Sequence, residues 1–212
     1  LAEKGLEFES HSVDLIKGEQ HDPEYVKLNP NHVVPTLIHD GCALIESSLI
    51  NEYLDEIKPG PNLLPESPVQ RAHARIWIDF DNTRIVPLFY KVLLDQDETK
   101  QTQLKSRMID SLRQLEREGF PGFEEGPFWF GKKVSLVDIA MYPHFERFNV
   151  LKHYRNIEIP DSCKKIHKWL AEMKSLPSVQ QTEQDDDYHI DAYQVYANAT
   201  ASGTTAKDMQ IL

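Results

Sequence analysis

Cysteine is scarce in this chain: of 212 residues only Cys42 and Cys163 carry thiols, and they stand far apart with no paired spacing. That pattern excludes a disulfide framework and a cysteine-based zinc site, and it fits a reducing cytoplasm. The nine histidines never fall in an HxxxH or HExxH arrangement, which argues against metal catalysis. Basic residues are also few, 23 against 34 acidic ones, for a net charge of −11, and they are scattered among carboxylates. Phosphate contact needs clustered Lys and Arg, so a nucleic-acid partner is excluded. No apolar run is long enough to span a bilayer and no signal peptide is recognisable, so the expectation is a soluble, cytoplasmic protein without a membrane partner. An initiator methionine is lacking too. The opening Leu1-Ala2-Glu3-Lys4-Gly5 reads as the end of a helix closed by glycine, so further chain is expected to precede it.

The chain is long enough for a good core and for one or two compact domains. Its most informative stretch runs from Val34 to Glu56. Thr36-Leu37-Ile38 is a short apolar run, Asp40-Gly41 supplies a hairpin turn, and Cys42 to Ile45 return as a second run. Leu49, Ile50, Tyr53, Leu54 and Ile57 recur at helical spacing behind Ser47, which predicts a helix starting at Ser47 or Ser48 with serine as its cap. Free amides at such a start hold a carboxylate, and Glu46 beside them accepts from an ammonium group. Pro35 opens the first strand, where proline is tolerated only at an edge or a start, and this leaves the amide and carbonyl of Val34 free for a ligand's peptide group. A cis bond at Val34-Pro35 is one of two open possibilities.

Upstream, Leu6 to Val13 reads as a strand and residues 19–28 as a loop or short helical turn. Downstream, the proline-rich stretch 58–68 reads as a linker, and everything after it is helical in pattern. The expected division is therefore a domain over 1–57, the linker 58–68, and a helical domain over 69–212 with a flexible tail from about 198. Residues 69–95 read as one long helix and Thr99 to Glu118 as a second. Ser135 and Asp138 have capping-box spacing, flanked by Val134 and Ile139 at the positions of a hydrophobic staple, and Asp138 is read as a folding element rather than a catalyst. Pro143 should bend that helix, a further helix runs from about Cys163 to Leu176, and a polar tail begins at Glu183.

The Val34–Glu56 segment resembles the glutathione-binding half of a glutathione transferase, and the resemblance extends over roughly residues 1–180. It implies a thioredoxin-like α/β domain, N-terminally incomplete, followed by an all-α domain. It implies that Val34-Pro35 is cis, that Val34 pairs with the cysteinyl backbone of glutathione, and that Glu46 and Ser47 hold its γ-glutamyl end. Lys27 and His21 are candidates for the positive charge an anionic ligand needs. No metal is expected; glutathione is the co-substrate. The residue that activates sulfur lies in the family on the first strand or helix, so the catalytic residue stays unassigned here. Leu63-Leu64-Pro65, Ser135-Leu136-Val137-Asp138 and Pro143-His144-Phe145-Glu146-Arg147-Phe148 resemble the omega class, which implies thiol transfer or conjugation of a detoxification type. Glu3 to Glu9 and His39-Asp40-Gly41 also resemble bacterial beta-etherases. A non-catalytic binding or regulatory module is a third reading. The resemblance further implies a homodimer and a small electrophile or disulfide bound between the domains, with Trp77, Phe80, Phe89, Tyr90 and Tyr142 as candidate lining. Cys42 is read as structural filling and Cys163 as a surface thiol.

Overall fold

The computed structural model describes residues 1–57 and 62–200. The expected linker therefore lies partly outside the described residues, at 58–61, and so does the expected flexible tail at 201–212. A small α/β unit comes first. Ala2–Lys4 form a 3₁₀ turn that Gly5 closes in the left-handed region at φ 59°, its amide returning to the Ala2 carbonyl. The strand expected over 6–13 is absent. Strand geometry persists only where a neighbour takes its ladder hydrogen bonds, and among the described residues this segment has no such neighbour. A second 3₁₀ turn over Glu19–His21 leads into α1 (Pro23–Leu28), capped by the Asp22 side chain.

The hairpin forms as its pattern predicts. β1 (Thr36–His39) pairs antiparallel with β2 (Cys42–Ile45), Thr36 opposite Ile45 and His39 opposite Cys42. Asp40 and Gly41 both take positive φ, 50° and 76°, the geometry of a tight type I′ connection. Helix α2 (Ser47–Ile57) follows at once, with Ile50 and Leu54 buried beneath it.

The rest is helical. The long helix expected over 69–95 is resolved into α3 (Pro68–Phe80), a wide π turn over Asp81–Ile85, and α4 (Val86–Leu94). Pro87 lacks an amide to donate into the ladder, and the turn loosens just ahead of it. Helix α5 (Glu98–Glu118) starts on Asp97, whose carboxylate accepts from the Lys100 amide at 2.9 Å. Then come α6 (Leu136–Glu146), which continues through Pro143, α7 (Asn149–Arg155), α8 (Lys164–Lys174) and α9 (Pro177–Gln180). The polar run from Glu183 is a helix start rather than the beginning of a tail. Asp185 caps α10 (Asp186–Ala197), accepting from the Tyr188 amide at 2.7 Å, and Asp186 and Asp187 lie where the helix dipole favours negative charge.

The capping box at α6 is present. Asp138 is wholly buried. One of its oxygens accepts from the Ser135 amide and hydroxyl at 2.8 and 2.7 Å, and the other from the Trp129 amide and the Trp169 indole at 2.9 and 2.8 Å. A single carboxylate thus ties the helix start to the 119–131 loop and to α8. Around it lies the main core, built from Trp129, Trp169, Met108, Leu112, Leu115 and Met141.

Candidate functional site

Residues 29–36 form a loop whose shape is fixed from inside. Asn29 is fully buried, and its amide nitrogen donates to the Val33 carbonyl at 2.7 Å and to Thr36 Oγ1 at 3.1 Å. The Tyr25 hydroxyl donates to the same Val33 carbonyl at 2.6 Å. Val34-Pro35 is cis. Among the described residues neither the amide nor the carbonyl of Val34 has a hydrogen-bond partner, which is the free peptide edge expected from a strand-opening proline.

Glu46 follows β2 with a positive φ of 69°, and its carbonyl accepts the first bond of α2, from the Ile50 amide at 2.9 Å. The cap position is therefore Glu46, not a serine: Ser47 is already helical. The first amides of α2 have no acceptor one turn back, as at any helix start, and carry partial positive charge. Continuing the hairpin register one step beyond Thr36–Ile45 brings Pro35 level with Glu46. Asn31 closes the gap from the loop side, its amide 3.4 Å from Glu46 Oε1. Val34, Pro35, Glu46 and Ser47 all lie within two residues of the Thr36–Ile45 pair and are all exposed, a lip at the open end of the hairpin. From the helical unit Asn82 reaches across and donates to Ser48 Oγ at 3.0 Å, which fixes the turn beneath Ser47.

The two candidate positive groups behave differently. His21 lies beside the loop, its Nδ1 3.2 Å from that of His32, two residues before Val34. Lys27 is exposed and ion-paired with Glu24 on its own helix. Asn29, Asn31, His32 and Asn82 escaped sequence reasoning. Asn29-Pro30-Asn31 gave a turn signal and nothing more, and no local pattern links Asn82 to a serine 34 positions earlier.

The cysteines reverse their expected places. Cys42 is exposed just after the hairpin turn, whereas Cys163 is buried at the start of α8, where burial and the nearby Glu116 carboxylate push its thiol up. Neither stands at the lip. Of the aromatic residues proposed for an inter-domain pocket, Phe80 and Phe89 are core and Trp77 packs on Phe80 and Trp129. Tyr142 lines a cavity of about 320 Å³ between the first residues, α2 and α6. Tyr90 stays half-buried against Tyr193. A larger cavity of about 990 Å³ runs between α6, α8 and the start of α10, and no residue of the lip lines it. No group of His, Cys, Asp and Glu that suits a metal ion occurs among the described residues. Likewise no described helix is long and apolar enough to cross a membrane.

Two family models match the chain: the glutathione S-transferase N-terminal domain over residues 1–56 and the glutathione S-transferase C-terminal domain over residues 97–172. Glutathione S-transferase U22 of Arabidopsis thaliana is 33% identical over 77% of this chain and 72% of its own length. Maleylacetoacetate isomerase of Mus musculus is 35% identical over 71% and 72%, respectively. Among solved structures, the glutathione transferase Omega 3C of Trametes versicolor superposes with a TM-score of 0.77 at 26% identity, over 94% of this chain and 83% of that one.

Proposed function

The chain belongs to the glutathione S-transferase family, with a thioredoxin-like first domain and a helical second one, and from that premise we propose that the lip at Val34–Ser47 is its glutathione site. The family's co-substrate is a peptide with an ammonium and a carboxylate at one end, and the lip offers a partner for each part. The Val34 amide and carbonyl pair with the cysteinyl backbone as a short added strand. Glu46 accepts from the γ-glutamyl ammonium, and Ser47 with the first amides of α2 holds the neighbouring carboxylate. His21 and Lys27 supply positive potential for the anionic tripeptide. The observation that carries this reading is the hairpin register: its last pair, Thr36 with Ile45, adjoins Pro35 on one side and Glu46 on the other, and the Val34 peptide groups beside it have no partner among the described residues.

Retention on immobilised glutathione tests it. The full-length protein should be retained and eluted by free glutathione, while Glu46→Ala or Ser47→Ala should weaken binding about tenfold, the worth of one lost charge-assisted hydrogen bond of roughly 1.5 kcal/mol. A protein that is not retained at all would sink the reading.

We read the activity as omega-like, thiol transfer or conjugation on a small electrophile or disulfide held between the domains. The likeness to the Trametes omega structure supports it. We place the domain division at 58–68; family models that match residues 1–56 and 97–172 support a division somewhere between those stretches. The chain is read as a cytoplasmic homodimer. Support for pairing comes from large apolar side chains left exposed on α2 and α3: Leu49 at 63%, Val69 at 67% and Ile76 at 60%. Light scattering on the purified protein should give twice the chain mass, and Ile76→Asp should halve it.

A further inference from the structure

We infer that the cavity of about 990 Å³ between α6, α8 and the start of α10 is a second ligand site, one that takes an organic cation, an ammonium group on an aromatic or alkyl body. Its described lining runs from Tyr142 to Asp187, so the helical unit builds it alone and the lip has no part in it. The floor is apolar. The rings of Phe145 and Phe148 stack with centroids 6.0 Å apart and planes 14° from parallel, and Ile157 and Leu170 extend the surface beside them. Tyr142 joins this floor and is its one anomaly. It is only 6% exposed, yet its hydroxyl has no hydrogen-bond partner among the described residues. Buried phenols ordinarily find one. Burial, and then the charges of Glu146 and Glu183, push this phenol up to about 12, so it stays protonated and neutral. Both carboxylates line the large cavity, and Glu183 does not line the smaller one on the other side of Tyr142. The hydroxyl therefore sits in the field of the large cavity's own acids.

The rim sets the sign of the ligand. Six carboxylates line the cavity against two lysines and His167, whose ring nitrogen lies 3.1 Å from the Pro160 carbonyl. Three of the six are committed: Glu146 lies 3.0 Å from His189, Glu158 pairs with Lys152 at 3.2 Å, and Asp185 caps α10. The side chains of Glu183, Asp186 and Asp187 have no ion-pair or hydrogen-bond partner among the described residues. Opposing them are Lys174 and the start of α10, which carries about half a positive charge. The balance stays negative. Asp186 and Asp187 are accounted for by the helix they open, but the half-buried Glu183 lies outside it and the Tyr142 hydroxyl is served by nothing. An anion is repelled at such a rim, and a neutral ligand covers the floor while leaving the acids unused. An ammonium uses both, exchanging water for the Glu183 carboxylate and the Tyr142 oxygen while its apolar body covers the Phe145–Phe148 pair.

Calorimetry on the full-length protein with 4-phenylbutylamine, 4-phenylbutanol and 4-phenylbutanoate tests the site, since the three share one body and differ in charge at neutral pH. The amine should bind about tenfold more tightly than the alcohol, the scale of one charge-assisted hydrogen bond, and the carboxylate should bind most weakly. Added salt should shrink the amine's advantage, because the rim carboxylates are partly exposed. Glu183→Gln should cut that advantage at least threefold, and Tyr142→Phe, which keeps the ring and removes only the hydroxyl, about twofold. Glu46 at the lip is the other place where an ammonium could settle, so the titration is repeated in saturating glutathione. Unchanged amine affinity is expected there, and displacement would put the amine at the lip and overturn the cavity site. A wild type that binds no amine, or binds the alcohol or the carboxylate as tightly, would overturn it as well, and so would a preference that persists undiminished in both Glu183→Gln and Tyr142→Phe.

Discussion

Asp138→Ala should cost about 4 kcal/mol of stability at neutral pH, the scale on which a buried charged acceptor is removed and its donors left unpaired. Four donors converge on this carboxylate: the Ser135 amide and hydroxyl, the Trp129 amide and the Trp169 indole. With alanine they face a cavity that no water shell reaches, since Asp138, Trp129 and Trp169 are all 0% exposed. Urea unfolding followed by circular dichroism measures the loss directly. A loss under about 1 kcal/mol would mean that the loop and α8 hold without the carboxylate.

The same group carries a pH signature. Burial pushes its carboxyl up to about 6, against the pull of the hydrogen bonds from Ser135, Trp129 and Trp169. A raised folded-state value means the native protein binds this proton more readily than the unfolded chain between about pH 4 and pH 6. Stability contributed by Asp138 is therefore greatest below that window and declines as pH rises through it, by about 3 kcal/mol for a displacement of roughly two units. Asp138→Asn does not titrate, so the wild type should lose stability relative to this variant as pH rises from 4 to 7. A gain over the same range would show that the four donors outweigh desolvation and hold the carboxyl low.

How much of this was legible beforehand depended on whether the signal was local. The hairpin was, because Asp40-Gly41 between two apolar runs specifies its turn, and so was the capping box, whose two ends are three positions apart. The lip residues Val34, Pro35, Glu46 and Ser47 all lie within one stretch of sequence whose register can be counted. Reading failed where the outcome depended on distant partners. Leu6 to Val13 has strand composition, but strand geometry requires a neighbour. Glu183 to Asp187 looked like a solvated acidic run because the apolar face of α10 is weak, and the helix is settled by packing on α4 and α7 instead. Cysteine placement failed for the same reason: a thiol's exposure is decided by what packs over it, and α5 and α8 meet at Cys163 from far apart in the chain.

The second large effect concerns such a distant contact, at the far end of α2 from the proposed glutathione lip. Asp55, near the end of α2, accepts from the Lys4 ammonium at 2.7 Å, from the Leu63 amide at 3.0 Å and from the Leu64 amide at 3.1 Å, and the Lys4 and Asp55 side chains are each 6% exposed. One carboxylate therefore fastens three segments: the first turn of the chain, α2, and the strand of backbone that enters the helical domain. The Leu63 carbonyl in turn accepts from the Leu136 amide at 3.0 Å, which carries the connection to the first turn of α6. Asp55→Ala should cost roughly 3 kcal/mol, because the Lys4 ammonium, the buried Leu63 amide and the half-buried Leu64 amide lose a charged acceptor together. The functional consequence follows from the rigidity of α2. Ser47 sits at its start and Asp55 near its end, so releasing one end frees the other to swing, and the proposed glutathione lip loses the fixed position of Glu46 and Ser47. Glutathione affinity should fall several-fold in Asp55→Ala although nothing that touches the ligand has changed, and hydrogen exchange at the Leu63 and Leu64 amides should accelerate in parallel. Weakened binding with unchanged exchange at those two amides would separate the lip from this clamp. Faster exchange with unaltered affinity would show that Asn82 on Ser48 alone is enough to hold the helix start.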